Sequence, residues 1–240
     1  LYLYARNLGM KVILFTNGRC ITPRLADLFE RVPPGELIEI TAYGMHPQSY
    51  EAVTGVRGAF KEFWAGVELL REHEIPFVVK GCLLPPNRSE MAEYEALVAS
   101  LPAMTHPSYG LVYDLRKRRD DPTKSARIAK LRMSPEEVVA HLERFPTYTE
   151  GIREFCTRCI GPRGDVLFTC GMGRELAVDA YGSVQGCLLL CHPETVYDLR
   201  CGSLEHALKE FFPALRRRRA TNVRYLERCA RCFLLGLCEQ

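Results

Sequence analysis

The chain has 240 residues, 47% hydrophobic and 25% charged, and its 32 Lys and Arg against 29 Asp and Glu leave a formal net charge of +3. That balance suits one large or two small folded domains, excludes a disordered tail, and demands no nucleic-acid partner. No run approaches the roughly 18 uninterrupted apolar residues of a membrane helix, and the first residues lack the pattern of an export leader, so the expected location is the cytoplasm, with no membrane partner.

The opening Leu1 to Gly9 reads as the last turns of a helix stopped by Gly9, and with no initial methionine the true beginning is expected upstream. Lys11 to Phe15 is a short apolar run closed by Thr16, Asn17 and Gly18, as expected of a strand buried on both faces of a parallel sheet. A helix follows, with Thr22 as N-cap, Pro23 at the first helical position and Leu25, Leu28, Phe29 and Val32 on one face. Leu37 to Ala42 is the next expected strand, Ala59 to His73 a helix with Phe60, Phe63, Trp64, Val67, Leu69 and Leu70 as its buried stripe, and Phe77 to Leu83 a third strand. Met91 to Ser100 makes a further helix and Tyr109 to Tyr113 a fourth strand.

Repeated strand–helix units imply parallel strands with helical crossovers, and such sheets place ligands beyond their C-terminal strand ends. The segment from Leu115 to Arg132 is charged and reads as a linker or solvent-facing excursion. Ser134, Pro135 and Glu137 form a capping-box start for a helix through Arg144. Near Pro146 the composition changes, and beyond it Ala177 to Gln185 has the look of a hairpin. The divisions expected are therefore 1–115, a strand–helix domain; 116–150, linker and helix; and 151–240, a small Cys-rich domain.

Of the 11 cysteines, Cys20 and Cys82 alone precede residue 150, and without an export signal such a density points to metal ligation over disulfides. Cys229, Cys232 and Cys238 present three thiols in the closing segment, the first two as a knuckle whose sulfurs can converge on one centre. Upstream, Cys170 and Cys187 flank Gly182, at which a hairpin can fold back and bring both thiols to one end. Thiolates are soft ligands that suit iron–sulfur clusters or zinc, and the residues leave that choice open. Cys156 and Cys159 are balanced between ligation and incidental use, whereas Cys191 and Cys201 lack a helpful spacing. The run Arg216 to Arg219 is read as a solvated helix face, and His46, His192 and His206 as ordinary histidines.

The spacing C-x11-G-x4-C, followed by C-x2-C-x5-C, resembles the SPASM tail of radical S-adenosylmethionine (radical SAM) enzymes. That family's next cysteine would fall two residues past Gln240, so the match is incomplete. The front half is similar to the same enzymes: Phe15 to Gly18 resembles the third barrel strand, Ile40 to Gly44 the fourth, Tyr50 to Phe60 the connection into the helix after it, and Lys80 and Asn87 the fifth strand and its exit.

This resemblance implies a partial (β/α) barrel of radical SAM type, followed by a SPASM or twitch-like domain with a β-hairpin and helices. It implies 4Fe–4S clusters and S-adenosylmethionine as cofactors, with Asn17, Thr41 and Lys80 as SAM contacts. Cys170 and Cys187 would serve one auxiliary cluster, and Cys229, Cys232 and Cys238 a second. It also implies a peptide or protein substrate and an electron donor such as a flavodoxin or ferredoxin. The family's C-x3-C-x2-C motif does not occur in these residues, so the expectation is a fragment, truncated at both ends, that does not itself cleave SAM. The rival expectation is a non-catalytic iron–sulfur or zinc module for electron transfer or protein interaction.

Overall fold

The computed structural model describes residues 1–110, 122–159, 163–168, 172–173, 175–188, 190 and 192–237. The backbone divides into two compact units, Leu1–His141 and Leu142–Gln240.

In the first unit, α1 (Tyr2–Asn7) closes with the Gly9 N–H on the Arg6 carbonyl at 2.9 Å, the expected helix stop. The strands β1 (Val12–Thr16), β2 (Gly35–Ala42), β3 (Val78–Cys82) and β4 (Ser108–Gly110) form one sheet in the order β1-β2-β3-β4, every pairing parallel. The expected α/β architecture with a parallel sheet is thus present. The crossovers carry α2 (Pro23–Arg31), α3 (Pro47–Thr54), α4 (Ala59–Glu72), a 3₁₀ turn at Pro85–Glu90 and α5 (Met91–Ala99). Two further helices are α6 (Pro122–Lys130) and α7 (Pro135–Leu142).

Local chemistry accounts for the starts of these helices. Thr22 Oγ1 accepts from the Leu25 N–H with Pro23 at the first position of α2. Before α7, the Ser134 N–H donates to Glu137 Oε2 at 3.1 Å and the Glu137 N–H returns to Ser134 Oγ at 3.2 Å, the reciprocal pair read from the sequence.

The helices bury one face of the sheet. Ile38 and Ile40 of β2 and Val79 of β3 pack with Ala26, Phe29, Phe63, Val67, Leu70 and Tyr94, all in one buried cluster. Burying each large apolar side chain contributes about 1.5–3 kcal/mol. On α4, Ala59, Phe63, Gly66, Val67 and Leu70 repeat at helical spacing, and a Cβ on Gly66 would lie 2.1 Å from the Gly18 carbonyl oxygen. Glycine at 66 is therefore what lets α4 approach the end of β1.

Four expectations are corrected. Strand β1 is not buried on both faces: Ile13 is 46% and Phe15 71% exposed, because the helices cover one face and β1 is an edge of the described sheet. The stretch from Tyr50 to Phe60 is not simply a connection, since α3 occupies its first part and ends at Gly55. The charged excursion contains α6, along which Lys124, Arg127 and Lys130 fall, while residues 111–121 lie outside those described. Pro146–Cys159 forms a helix, α8, for which the residues had suggested no element.

The second unit holds α8 and a three-stranded antiparallel sheet, β5 (Ala177–Val178), β6 (Ser183–Gln185) and β7 (Val196–Asp198). The β5–β6 hairpin turns at Gly182, whose φ of 86° lies in the left-handed region, and Asp179 Oδ1 accepts the Tyr181 and Ser183 N–H groups across the turn. After β7 come α9 (Leu204–His206), a π-helical turn at Ala207–Phe211, α10 (Phe212–Arg216) and α11 (Val223–Arg228). Met172, Val184, Ala207, Phe212 and Leu215 form a small buried core, against which Cys187 packs.

The arginine run is solvated at Arg217, Arg218 and Arg219 as expected, but it is not a helix face, since α10 ends at Arg216. Arg216 ends α10 and donates to the Gly173 carbonyl, Arg218 pairs with Glu194 at 2.8 Å, and Arg219 pairs with Asp165.

Candidate functional site

Strand register sorts the sheet residues onto two faces. Ile38, Ile40 and Val79 face the helices, so Glu39 and Thr41 of β2 and Lys80 and Cys82 of β3 alternate onto the opposite face. Thr41 pairs with Lys80, and Lys80 with Ser108, giving a polar row of three across neighbouring strands. One step further along, Cys82 pairs with Gly110; a Cβ on Gly110 would meet Cys82 Sγ at 3.5 Å and Lys80 Cε at 3.6 Å. The lysine stem and the thiol therefore share one small space at the C-terminal end of the sheet.

Two of the three residues expected to touch SAM are thus neighbours in the row. Asn17 is exposed, one residue past the end of β1, where Thr16 pairs with Ile40; its Oδ1 accepts from the Arg19 N–H at 3.1 Å, and Arg19 is held by Glu62 at 2.6 Å. The Asn17 amide nitrogen has no hydrogen bond among the described residues. Reading the sequence missed Glu39, Cys82 and Ser108 on this face. Alternation along β2 and β3 could have found the first two, whereas Ser108 joins only through the pairing of β4.

Electrostatics on this face are set by burial. Burial pushes the Cys82 thiol up to about 11; the nearby Lys80 charge pulls it down and Glu39 adds a smaller upward push. Burial likewise raises the Tyr43 hydroxyl, and Cys82 raises it further. Cys82 is thus a protonated thiol at neutral pH, and the face offers the Lys80 amine, the Glu39 carboxyl group and a hydroxyl each from Thr41 and Ser108.

The rim of the face is held from behind by the 3₁₀ turn. Asn87, 1% exposed, donates from Nδ2 to the carbonyls of Tyr43 at 2.9 Å and Cys82 at 2.6 Å, while its Oδ1 accepts from the Leu84 N–H at 2.9 Å. Three residues on, Glu90 accepts from the Met45 N–H at 2.6 Å and from Ser49 Oγ at 2.7 Å. Tyr94 completes the brace, its hydroxyl 2.6 Å from the Ser108 carbonyl oxygen and 2.9 Å from that of Val79.

In the second unit, the expected ligands Cys170 and Cys238 lie outside the described residues, as does Cys191. Cys187 follows Gly186, whose carbonyl accepts the Gly173 N–H at 2.8 Å, so the chain just after residue 171 runs beside the approach to Cys187. Cys229 and Cys232 form a tight turn, with the Cys232 N–H on the Cys229 carbonyl at 3.0 Å and the Leu235 N–H on the Cys232 carbonyl at 3.2 Å. Cys156, Cys187, Cys201, Cys229 and Cys232 are all free thiols. No three of these thiols lie within 4.8 Å of one another among the described residues, so the structure does not gather them into one centre.

Among the described residues, the group of three possible ligand side chains with ligand atoms within 4.8 Å of one another is Asp27, Glu30 and His73. His73 Nδ1 lies 2.8 Å from Glu30 and 4.0 Å from Asp27, and the Glu30 hydrogen bond raises the His73 pKa. That is a surface ion pair. Of the other histidines, His46 pairs with Glu93 at 3.0 Å and His192 accepts the Glu194 N–H at 3.2 Å, ordinary roles as expected. No helix among the described residues is long and apolar enough to cross a membrane.

No family model matches the chain. Over 109 residues the sequence is 27% identical to the AdoMet-dependent heme synthase of Methanosarcina barkeri (strain Fusaro / DSM 804), covering 45% of this chain and 31% of that protein. Among solved structures, anSMEcpe with bound AdoMet superposes with a TM-score of 0.56, at 13% identity, over 94% of this chain and 61% of its own. The same protein with bound AdoMet and the Cp18Cys peptide gives a TM-score of 0.51 at 14% identity, over 94% of this chain and 64% of its own. The chain therefore spans under a third of the sequence relative and under two thirds of these solved chains. It has the α/β fold of anSMEcpe.

Proposed function

We propose that these residues are part of a radical SAM enzyme that modifies a peptide or protein, with a SPASM-like auxiliary-cluster segment after the parallel sheet. The observation that carries this reading is the sheet face opposite the described helices, with the registered row Thr41, Lys80 and Ser108 running across it from the end of β2. The fold likeness to a protein solved with AdoMet and a peptide supports the same reading.

When bound, SAM and an iron–sulfur cluster with an open iron supply a carbon-centred radical that takes hydrogen from substrate. No C-x3-C-x2-C ligand set occurs in these 240 residues, so this chain by itself is expected not to cleave SAM. The chain's own residues bind and orient. Thr41 and Ser108 offer hydroxyls to the ribose or the amino acid part of SAM, Lys80 offers a cation to its carboxylate, and Asn17 offers its amide nitrogen at the outer end of the face. Cys82, kept protonated, adds no anion beside Lys80. Asn87 and Glu90 hold the strand ends, so the row keeps its spacing while a ligand enters.

In the second unit, Cys170 and Cys187 would hold one auxiliary 4Fe–4S cluster, and Cys229, Cys232 and Cys238 a second. An electron donor of flavodoxin or ferredoxin type, a peptide substrate and a cytoplasmic location complete the proposal.

Anaerobic reconstitution with iron and sulfide, followed by metal analysis and visible absorption, tests the reading. The expected result is iron and acid-labile sulfide with the broad absorption of 4Fe–4S clusters, saturable SAM binding, and no 5′-deoxyadenosine from this chain alone. Uptake of zinc without sulfide chemistry, together with no SAM binding, would establish the rival binding module.

A further inference from the structure

We propose that Asn17 is a site of self-modification in the folded chain, where it loses its side-chain amide as ammonia and becomes aspartate or isoaspartate. The reaction is attack by the peptide nitrogen of the next residue on the side-chain carbon Cγ, and the turn after β1 is built to favour it. The next residue is Gly18, which has no Cβ to block the approach of its own nitrogen. Asn17 is exposed to water, and its amide nitrogen is hydrogen-bonded to none of the described residues, so the leaving group is not held.

Both reacting groups are prepared by a neighbour. Asn17 Oδ1 accepts from the Arg19 N–H at 3.1 Å, which polarises Cγ and stabilises the negative charge that develops on Oδ1 during attack. The Gly18 N–H donates to Thr16 Oγ1 at 3.1 Å, so an acceptor stands at the proton that the nitrogen must give up. The bond from Gly18 N to Asn17 Cγ forms as the bond from Cγ to Nδ2 breaks, and ammonia carries off the proton from the Gly18 nitrogen. One water then opens the five-membered succinimide. Cleavage at Cγ gives aspartate, and cleavage at the main-chain carbonyl gives isoaspartate. The sum is amide and water to acid and ammonia, with no electron transfer and no dependence on SAM or on any cluster.

The other asparagines lack this combination. Asn7 and Asn222 precede the bulky Leu8 and Val223, and Asn222 Oδ1 is engaged by the Tyr225 N–H at 3.2 Å as the cap of α11. Asn87 is buried, with its amide donating to the carbonyls of Tyr43 and Cys82. Modification at Asn17 adds a carboxylate just past β1 and removes the amide donor assigned to SAM above. The isoaspartate form also inserts one backbone carbon there, next to the Gly18 carbonyl on which Gly66 of α4 closes.

The test is timed incubation of the purified folded chain in mildly alkaline buffer, followed by trypsin and mass spectrometry. Cleavage after Lys11 and Arg19 releases residues 12–19 with Asn17, and cleavage after Arg6 and Arg219 releases separate control peptides with Asn7 and Asn222. The expected result is conversion of peptide 12–19 to the acid, as two isomers, at a rate about tenfold or more above either control, the worth of one hydrogen bond to a developing charge. The acidic form should also appear on ion exchange of the intact chain, and it should be missing from Asn17→Gln, whose longer side chain closes its ring far more slowly. The chain unfolded in guanidinium gives the rate of the bare Asn-Gly sequence. Retention of the amide in the folded chain while the unfolded chain loses it would show that the turn protects Asn17, and would overturn the proposal. Equal rates in all three peptides, or the same acidic form in Asn17→Gln, would overturn it as well.

Discussion

Asn87 donates a hydrogen bond from its side-chain amide to the carbonyl of Tyr43 at 2.9 Å, joining residues 44 positions apart. The second amide hydrogen goes to the carbonyl of Cys82. One buried side chain therefore ties the exits of β2 and β3 together, and with them the spacing between Thr41 and Lys80.

Replacing Asn87 by Ala removes three hydrogen bonds and leaves two carbonyls dry. The expected loss is about 2 kcal/mol or more, since each unsatisfied buried polar group costs about 1–3 kcal/mol. Urea unfolding followed by the fluorescence of Trp64, which lies in the same unit, measures it. A loss within error of zero would mean that water or a shifted backbone replaces the amide.

Gly66→Ala tests the close approach of α4. The added methyl would meet the Gly18 carbonyl oxygen at 2.1 Å, so the helix must move away from the end of β1. Overpacking of this kind costs about 1–3 kcal/mol, although alanine is the better helix former. Gly151→Ala on α8, where nothing lies within 4 Å of the added atom, is the control, and it is expected to be neutral or stabilising.

Cys82 is expected to alkylate slowly at pH 7 to 8, its rate climbing as the pH approaches about 11. Mass spectrometry after timed iodoacetamide treatment reads this against the exposed Cys20. The same burial sets a sign for stability. Between the unfolded thiol value near 8.5 and the folded value, the native state holds the proton that the unfolded state has released, so the contribution of Cys82 to stability falls as pH rises through that window. Cys82→Ala should flatten that part of the stability profile, and an unchanged slope would contradict the assignment.

If Lys80 holds the carboxylate of SAM, Lys80→Met should weaken SAM binding by about tenfold or more, the worth of one charge-assisted hydrogen bond. Thr41→Val should weaken it by a smaller factor. Equilibrium dialysis with labelled SAM gives both values. Equal affinity in wild type and Lys80→Met would remove Lys80 from the site.

The alternation of strand and helix was legible because each element carries its own period and punctuation. Thr22 with Pro23, Ser134 with Glu137 and Gly182 are local devices that act through backbone groups a few residues away. Helices α3 and α6 escaped because their residues are mostly polar, whereas α8 does carry Tyr148, Ile152, Phe155 and Cys156 at helical spacing, a signal that was legible. The exposure of Phe15 could not be read either, since an apolar run looks the same whether one face of its strand is covered or both.

By itself, then, the sequence determined a parallel α/β sheet, the hairpin at Gly182 and the thiol spacings, because local periodicity, turn chemistry and soft donor atoms depend on neighbours along the chain. Only the tertiary structure decided that Lys80 stands between Thr41 and Ser108, that Asn87 clasps two strand ends, and that Arg216 leans on Gly173. Apart from the short Asn87–Cys82 bond, those relationships join residues far apart along the chain, up to the 44 positions between Asn87 and Tyr43, and they arise from strand register and from the need of buried polar groups for partners, neither of which a linear pattern encodes.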